Sequence, residues 1–258
     1  MSDLFSLEGK TALVTGGSRG IGAMIARGLV AAGVKTYISA RKEAELVATA
    51  EGLSAYGHCI PVPADLSTAE GISQLTQELA GRESRLDILV NNAGATWGAP
   101  IDVFPESGWD RVLDLNLKAP FFLVQKCLPL LKASASPEAP ARIINVSSIN
   151  AMRHSHMDNF SYSASKAGLI ALTRHLAANL ARSHITVNAV APGMFPSRMT
   201  AFLYETEEQR RRTDAMVPLG RSGDWEDAAG PAIFLASRAA AFVTGATLIV
   251  DGGVAANA

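Results

Sequence analysis

Short apolar runs alternate along the whole chain with longer segments of helical period, and this alternation limits the fold more than any other feature. The runs are almost continuously apolar, which is typical of strands in a parallel sheet covered by helices on both faces. Between the first two runs, Ile21, Ile25 and Leu29 recur at helical spacing, and Gly33 then supplies a stop. The sequence therefore predicts an α/β fold, a doubly wound, Rossmann-like parallel sheet flanked by helices. The predicted strands are TALVT (11–15), KTYIS (35–39), CIPVP (59–63), LDILVN (86–91), ARIINVS (141–147), ITVNAVA (185–191) and TLIV (247–250).

No internal repeat and no linker interrupts this pattern. A chain of 258 residues with 48% hydrophobic content can bury one large core, so we expect a single domain over 1–258. Two stretches look irregular. SASPEAP (134–140) reads as a surface turn, and the stretch from Pro192 to Gly220 predicts a substrate lid at about 194–220.

Composition restricts the partners. The formal net charge is −1 and no long basic run occurs, so we expect no nucleic-acid partner and no membrane partner. The N-terminus lacks a cationic lead before a cleavable apolar stretch, and no apolar run reaches the ~18 residues that would span a bilayer. Cys59 and Cys127 lack the spacing of a disulfide framework, which fits the reducing cytoplasm. Four histidines, His154, His156, His175 and His184, show no metal-ligand arrangement beyond a loop HSH, so no metal site is predicted.

The first predicted strand ends in TGGSRGIG, with Gly16, Gly20 and Gly22 between strand and helix. Glycines at this turn let the backbone approach a pyrophosphate, which then rests on the helix N-terminus. A glycine pattern alone is weak, but its place after the first strand is the context that a dinucleotide fingerprint requires.

The second strand ends where the adenosine ribose of a dinucleotide should lie. The sequence has Ala40 and Arg41 there, where a protein that prefers NAD would carry a carboxylate. Arg41, aided by Lys42 and Arg19, is suited to a 2′-phosphate, which favours NADP(H) as the cofactor. The alternative is that Arg41 only opens a solvated helix.

Tyr162 and Lys166 lie four residues apart at the start of a predicted helix, so both face the same side. An ammonium ~4 Å from a phenol interacts with the phenolate by roughly 4 kcal/mol at an effective dielectric constant of 20. That energy would bring the phenol pKa about 3 units closer to neutrality. The pair therefore predicts a tyrosine that donates a proton to a carbonyl oxygen.

The motifs TGGSRGIG, NNAG, INVSSIN, YSASK and NAVAPG occur in this order over essentially the whole chain, which resembles the short-chain dehydrogenase/reductase family. The resemblance implies hydride transfer between a nicotinamide and a carbonyl or alcohol carbon, with Tyr162 as acid/base. It further implies that Lys166 binds the ribose and lowers the tyrosine pKa, that Ser148 binds the substrate oxygen, and that Asn116 holds a water on a proton relay. Asn116 has a second interpretation, in which it only satisfies neighbouring backbone.

The same resemblance assigns cofactor-binding positions and a homo-oligomeric state, tetramer or dimer. The residues expected to bind the cofactor are Gly16, Ser18, Arg19, Gly20, Ile21, Gly22, Arg41, Asp65, Leu66, Asn92, Ala93, Gly94, Tyr162, Lys166, Pro192, Gly193, Phe195 and Ser197.

The serine position departs from the family pattern, because Ser148 stands one residue further from Tyr162 than is usual. Ser148 is preferred because it matches the serine that leaves the strand, and Ser147 is the alternative. This choice implies one extra residue in the following loop.

A run of methionines and aromatics in the expected lid, including Met199 and Phe202, predicts an apolar pocket for a small-molecule carbonyl or alcohol substrate. The expected function is NADPH-dependent reduction of a ketone, with a 3-oxoacyl group suggested by the local resemblance of APGMFPSRMT to such reductases of glycolipid synthesis. Docking of an acyl carrier is doubtful because SASPEAPAR supplies few cations. Sugar-alcohol or steroid alcohol dehydrogenation is an alternative, and a non-catalytic nucleotide-sensing protein is another of a different class.

Overall fold

Seven parallel strands form one sheet in this protein, which a computed structural model describes over residues 4–155 and 157–257. The strand order is β3-β2-β1-β4-β5-β6-β7, and each neighbouring pair is parallel. The doubly wound fold expected from the sequence is therefore confirmed, although residues 1–3, 156 and 258 of the expected domain lie outside the described residues. The strands are β1 (Thr11–Thr15), β2 (Lys35–Ala40), β3 (Cys59–Pro63), β4 (Ile88–Asn91), β5 (Ala141–Val146), β6 (Ile185–Pro192) and β7 (Thr247–Val250).

Helices cover both faces of the sheet. Side chains of β1 point alternately to the two faces, so Val14 joins a core with α1, α2 and α8, whereas Leu13 joins a core with α3, α5 and α6. Burial on both faces explains why the strands read as continuous apolar runs. The helices are α1 (Gly20–Ala31), α2 (Glu43–Leu53), α3 (Ala69–Arg82), α4 (Glu106–Leu113), α5 (Ala119–Ser134), α6 (Phe160–Leu180), α7 (Glu207–Ala215) and α8 (Trp225–Ala236).

The strand order reverses at β1, which lies between β2 and β4. The chain leaves β1 towards one edge of the sheet and later returns to build the other edge from β4 onwards. A crevice opens at the carboxyl ends of the strands at such a switch point, and ligands of doubly wound sheets bind there. The glycine-rich turn after β1 and the NNAG turn after β4 therefore face the same crevice.

The expected lid is more regular than its sequence suggested. A 3-10 helix covers Arg198–Leu203 and α7 follows, begun by a capping box in which Thr206 and Gln209 bond each other's backbone N–H. The TEEQ sequence carries this start signal. The assignment of about 194–220 as a lid stays a prediction.

Among the residues that the structure describes, no helix has the length and apolar character needed to cross a membrane.

Candidate active site

A cavity of about 710 Å³ opens at the carboxyl end of the sheet. Its walls come from the glycine-rich turn, the ends of β2 to β5, the start of α6 and the segment around Ser197. This volume lies within the ~300–1,000 Å³ of small-molecule sites.

The glycine-rich turn is built for close backbone approach. Gly16 and Gly20 have φ of 64° and 54°, in the left-handed region that favours glycine. A Cβ added to Gly22 would lie 2.3 Å from both Asn92 Nδ2 and Gly16 O, so the third glycine lets the helix pack on the NNAG turn. Asn92 Nδ2 donates to Thr15 O at 2.9 Å and to Gly16 O at 3.2 Å, which joins the two turns.

The N-terminus of α1 can receive an anion. Arg19 occupies the N-cap position without a side-chain cap, and the first turn carries no acidic residue. The first N–H groups of this helix therefore have no side-chain carboxylate competing for them, and the helix dipole favours negative charge there.

Cationic side chains surround the part of the cavity near the end of β2. Arg19, Arg41, Lys42 and Arg198 all line it. Arg41 Nη1 lies 4.0 Å from Asp65 Oδ2. Positive charge therefore gathers at the strand end where Ala40 replaces a carboxylate.

Tyr162 and Lys166 both line the cavity from the first turns of α6. Lys166 is only 4% exposed, and its Nζ donates to Val146 O at 2.7 Å. The same Nζ lies 5.7 Å from the centroid of the Tyr162 ring. The helix thus presents a phenol and an ammonium to one wall.

Burial tunes both groups. It lowers the pKa of Lys166 to about 8, because a charged ammonium is poorly solvated there. Burial also raises the pKa of the Tyr162 phenol, and a hydrogen bond with Ser148 partly opposes this rise. The Lys166 ammonium donates to the Val146 carbonyl, and lowering of the tyrosine pKa by Lys166 stays a prediction.

The two adjacent serines have different partners. Ser147 Oγ donates to Lys166 O at 2.9 Å and thereby fixes the end of β5 to α6. Ser148 Oγ accepts from Asn150 N at 3.2 Å and bonds the Tyr162 hydroxyl. Ser147 also lines the cavity, but its hydroxyl is already committed to the helix backbone. Of the two, Ser148 is the one the structure brings to the phenol.

Asn116 lies in a π-helical turn, Asp114–Lys118, between α4 and α5. Its Oδ1 accepts from Ala95 N at 2.8 Å, and its Nδ2 donates to Ala95 O at 2.9 Å and to Ser165 Oγ at 3.0 Å. Both amide hydrogens are therefore used to join the NNAG turn to α6. A relay water would have to donate to the remaining lone pair of Oδ1 or to the backbone carbonyl.

Most predicted cofactor residues meet at this cavity, and a few do not. Gly22 is not among the lining residues, and neither are Asn116 and Ser148, which were predicted as catalytic. Phe195 is 3% exposed, and its ring packs where a Cβ on Gly223 would fall, so its side chain belongs to the core. The binding role of Pro192, Gly193 and Phe195 stays a prediction, as they are not among the lining residues. The predicted residues that line the cavity are Gly16, Ser18, Arg19, Gly20, Ile21, Arg41, Asp65, Leu66, Asn92, Ala93, Gly94, Tyr162, Lys166 and Ser197.

Some lining residues were not predicted from sequence as cofactor-binding. Glu45 and Arg198 lie at the cationic end, and Thr96, Arg111 and Leu115 lie elsewhere in the wall. Glu45 carries no sequence signal, because an acidic residue in the first turn of a helix is ordinary.

The expected apolar pocket is only partly assembled. Met199 lines the cavity, while Phe202 and Met216 are exposed and Met194 packs on a small cluster around Ile149. Within residues 4–155 and 157–257, no group of histidine, cysteine and carboxylate side chains is arranged to hold a metal. His156 lies outside those residues.

Comparison with known proteins agrees with this geometry. A family profile described as enoyl-(acyl carrier protein) reductase matches residues 16–255. The 3-oxoacyl-[acyl-carrier-protein] reductase of rhamnolipid biosynthesis from Pseudomonas aeruginosa is 47% identical over 253 residues, covering 98% of this chain and 99% of the relative. Gluconate 5-dehydrogenase from Gluconobacter oxydans is 34% identical over 257 residues, covering 98% and 97%.

A solved structure described as the Pseudomonas aeruginosa RhlG/NADP active-site complex superposes with a TM-score of 0.95. It is 47% identical and covers 99% of this chain and 100% of its own. The chain therefore belongs to the short-chain dehydrogenase/reductase family, which confirms the resemblance seen in its motifs.

Proposed function

We propose that this protein is an NADPH-dependent reductase that transfers a hydride to the ketone of a 3-oxoacyl or similar lipophilic substrate. Its class, an oxidoreductase acting on CH–OH and C=O groups, follows from its family. The observation that carries the proposal is that Tyr162 and Lys166 line the cavity that also holds the glycine-rich turn, with Ser148 hydrogen-bonded to the Tyr162 hydroxyl.

The residues present fit NADP(H). The turn after β1 excludes a Cβ at Gly16 and Gly22, α1 begins without an acidic residue, and cations gather at the end of β2. A pyrophosphate would rest on the N-terminus of α1 and a 2′-phosphate among Arg19, Arg41 and Lys42. When bound, the nicotinamide supplies the hydride.

The protein's own residues handle the proton. Tyr162 holds it on the phenol, because burial raises the pKa and keeps the group protonated at neutral pH. Ser148 bonds the phenol and can donate to the substrate oxygen, so the two hydroxyls together orient that oxygen. Lys166, with a pKa of about 8, can take part in returning a proton to the tyrosine near neutral pH.

The substrate class rests on similarity and chemistry together. The Pseudomonas aeruginosa relative is named a 3-oxoacyl-[acyl-carrier-protein] reductase, and it is considerably more similar to this chain than the gluconate dehydrogenase. Met199 adds a flexible apolar side chain to the cavity wall, which suits an acyl chain better than a polyol.

A panel of carbonyl substrates with NADPH tests this proposal. It should contain 3-oxoacyl thioesters of several chain lengths, free and carrier-bound, together with 5-ketogluconate and a steroid ketone. We expect the thioesters to give the highest kcat/KM. Faster turnover of 5-ketogluconate would favour the sugar-alcohol alternative, and NADPH binding without turnover of any ketone would favour a nucleotide sensor.

As part of the same proposal, the enzyme works in the cytoplasm as a homo-oligomer, a tetramer or dimer. Both cysteines are free and buried, which suits a reducing compartment. Strand β7 ends the sheet, Ile249 on it is 46% exposed, and Phe242 in the segment before it is fully exposed. An uncovered apolar edge of this kind favours association. Sedimentation equilibrium tests the oligomeric state.

A further inference from the structure

Glu45 is the feature of the cavity that the proposed function leaves unexplained. It lies in the first turn of α2 and lines the cavity, close to the cations expected to receive a 2′-phosphate. An acidic side chain at an anion site opposes binding, since like charges repel.

The contacts of Glu45 show that it already uses these cations. Its Oε2 lies 2.8 Å from Arg19 Nη1, and its Oε1 lies 2.8 Å from Lys42 Nζ. One carboxylate therefore bridges the glycine-rich turn and the start of α2. The side chains of Arg19, Lys42 and Glu45 are all 41–60% exposed, so the bridge can open without unfolding the core.

A third cation, Arg198, also favours the charged form of this carboxylate. Arg198 begins the 3-10 helix of the expected lid and also lines the cavity. The pKa of Glu45 is lowered chiefly by its bond with Lys42, and Arg19 and Arg198 add to the effect. Of these three cations, Arg19 and Lys42 contact the carboxylate directly.

Another contact between α2 and the glycine-rich turn does not involve the Glu45 side chain. Thr49 Oγ1, one turn further along, lies 2.8 Å from both Ser18 O and Glu45 O, so its hydroxyl can donate to the glycine-rich turn or to its own helix. The Glu45 bridge is therefore not the sole link between α2 and this turn among the described residues.

We propose that Glu45 is an internal competitor of the 2′-phosphate: its carboxylate occupies the cations of the phosphate site and limits the preference of the protein for NADPH over NADH. This inference rests on the proposed function, because it assumes that the dinucleotide binds in this cavity. A bound 2′-phosphate replaces the carboxylate on Arg19 and Lys42, and Glu45 turns to solvent. NADH has no such phosphate, so it leaves the bridge closed.

The test is nucleotide affinity measured by calorimetry, which needs no substrate and no turnover. Adenosine 2′,5′-bisphosphate and 5′-AMP serve as probes beside NADPH and NADH, because they isolate the adenosine end. In Glu45→Gln, we expect NADPH and the bisphosphate to bind about 3- to 10-fold more tightly, and NADH and 5′-AMP to change less than about twofold.

Glu43→Gln is the matched control. Glu43 lies in the same first turn and forms no ion pair within the described part of the chain. Its substitution by glutamine changes the net charge by the same amount as Glu45→Gln. It should leave all four affinities near native values. Glu45→Asp, which keeps the charge, should remain close to the native protein.

The outcomes separate the two claims. If the native protein binds neither NADPH nor the bisphosphate, the proposed function fails and this inference fails with it. If the native protein binds both but Glu45→Gln binds them with equal or lower affinity, the proposed function stands and Glu45 is not a competitor. Equal tightening by Glu43→Gln would also overturn the inference, since net charge alone would then explain it.

Discussion

The pKa values of Tyr162 and Lys166 are shifted mainly by burial rather than by interaction between the two side chains. Lys166 and Tyr162 share a helix face, yet the ammonium bonds the Val146 carbonyl and the phenol bonds Ser148. Burial disfavours the charged form of each group, so it lowers the lysine pKa and raises the tyrosine pKa. Burial therefore favours the neutral form of both groups, with the proton kept on the phenol.

The buried lysine makes stability depend on pH in a defined direction. Its pKa is about 8 in the folded protein against the ordinary lysine value of 10.5, so the unfolded chain binds more protons between these pH values. The free energy of unfolding of the native protein, relative to Lys166→Met, should therefore rise by up to roughly 3 kcal/mol from pH 8 to pH 10.5. Urea unfolding of both proteins across this range measures the difference. Parallel pH profiles would show that the lysine is not perturbed.

Arg41 is expected to distinguish the two dinucleotides. It is well exposed and lies 4.0 Å from Asp65, so no strong partner holds it away from a 2′-phosphate. Arg41→Ala should weaken NADPH binding about tenfold and leave NADH nearly unchanged, because a charge-assisted bond to phosphate is lost. Fluorescence titration measures both affinities, with Arg82→Ala on the exposed face of α3 as a control. An equal loss of affinity for NADPH and NADH would contradict a contact between Arg41 and the 2′-phosphate and would indicate a structural role for this side chain.

Small residues allow close packing of this fold's elements at the glycine-rich turn and at the contact between α1 and α8. A Cβ on Gly28 would lie 2.4 Å from Ala229 Cβ, so these helices approach closely, whereas a Cβ on Gly52 would meet no atom within 4 Å. The packing of α1 on α8 thus requires glycine at position 28. Position 52 has room for a larger side chain.

Alanine at these two positions should have opposite effects. Gly28→Ala should lower the free energy of unfolding by ~1–3 kcal/mol through overpacking. Gly52→Ala should raise it by up to ~1 kcal/mol, because alanine favours the helix. Urea unfolding of both variants measures this, and destabilisation by Gly52→Ala would contradict the open surroundings of that residue.

Sequence predicts the regular elements well and the irregular ones poorly, for physical reasons. The strands follow from apolar runs because both faces of the sheet are buried, and β1, β3 and β7 have the predicted bounds. Strand β4 begins at Ile88 rather than Leu86, because the N–H of Leu86 bonds Leu130 O on α5 outside the ladder. The π-helical turn at Asn116 depends on contacts with Ala95 and Ser165 that no local pattern encodes.

Some residues of the candidate site could be identified from sequence patterns, and others depend on contacts between distant elements. Tyr162 and Lys166 could be found from their spacing on one helix, and the glycines from their place after β1. The partners of Ser147 and Ser148 could not be predicted, because they depend on how β5 meets α6. Glu45 could not be predicted either, since its bridge joins residues of separate elements.

At the scale of the whole molecule, the reversal of strand order at β1 brings these pieces together. The glycine-rich turn, the NNAG turn, the end of β5 and the start of α6 come from distant parts of the chain, yet all reach one cavity at the carboxyl edge of the sheet. The central claim is that this edge is a reductase site in which the Tyr162 phenol supplies the proton.

Tyr162→Phe tests that claim most directly, because it keeps the ring and removes the hydroxyl. NADPH binding by fluorescence and single-turnover reduction of the best ketone should be measured on the native and variant proteins. We expect binding to remain near native and the rate to fall ~10²- to 10⁴-fold, as is typical for loss of a general acid. Normal binding with a rate within about threefold of native would contradict the account, because the phenol would then not be the acid.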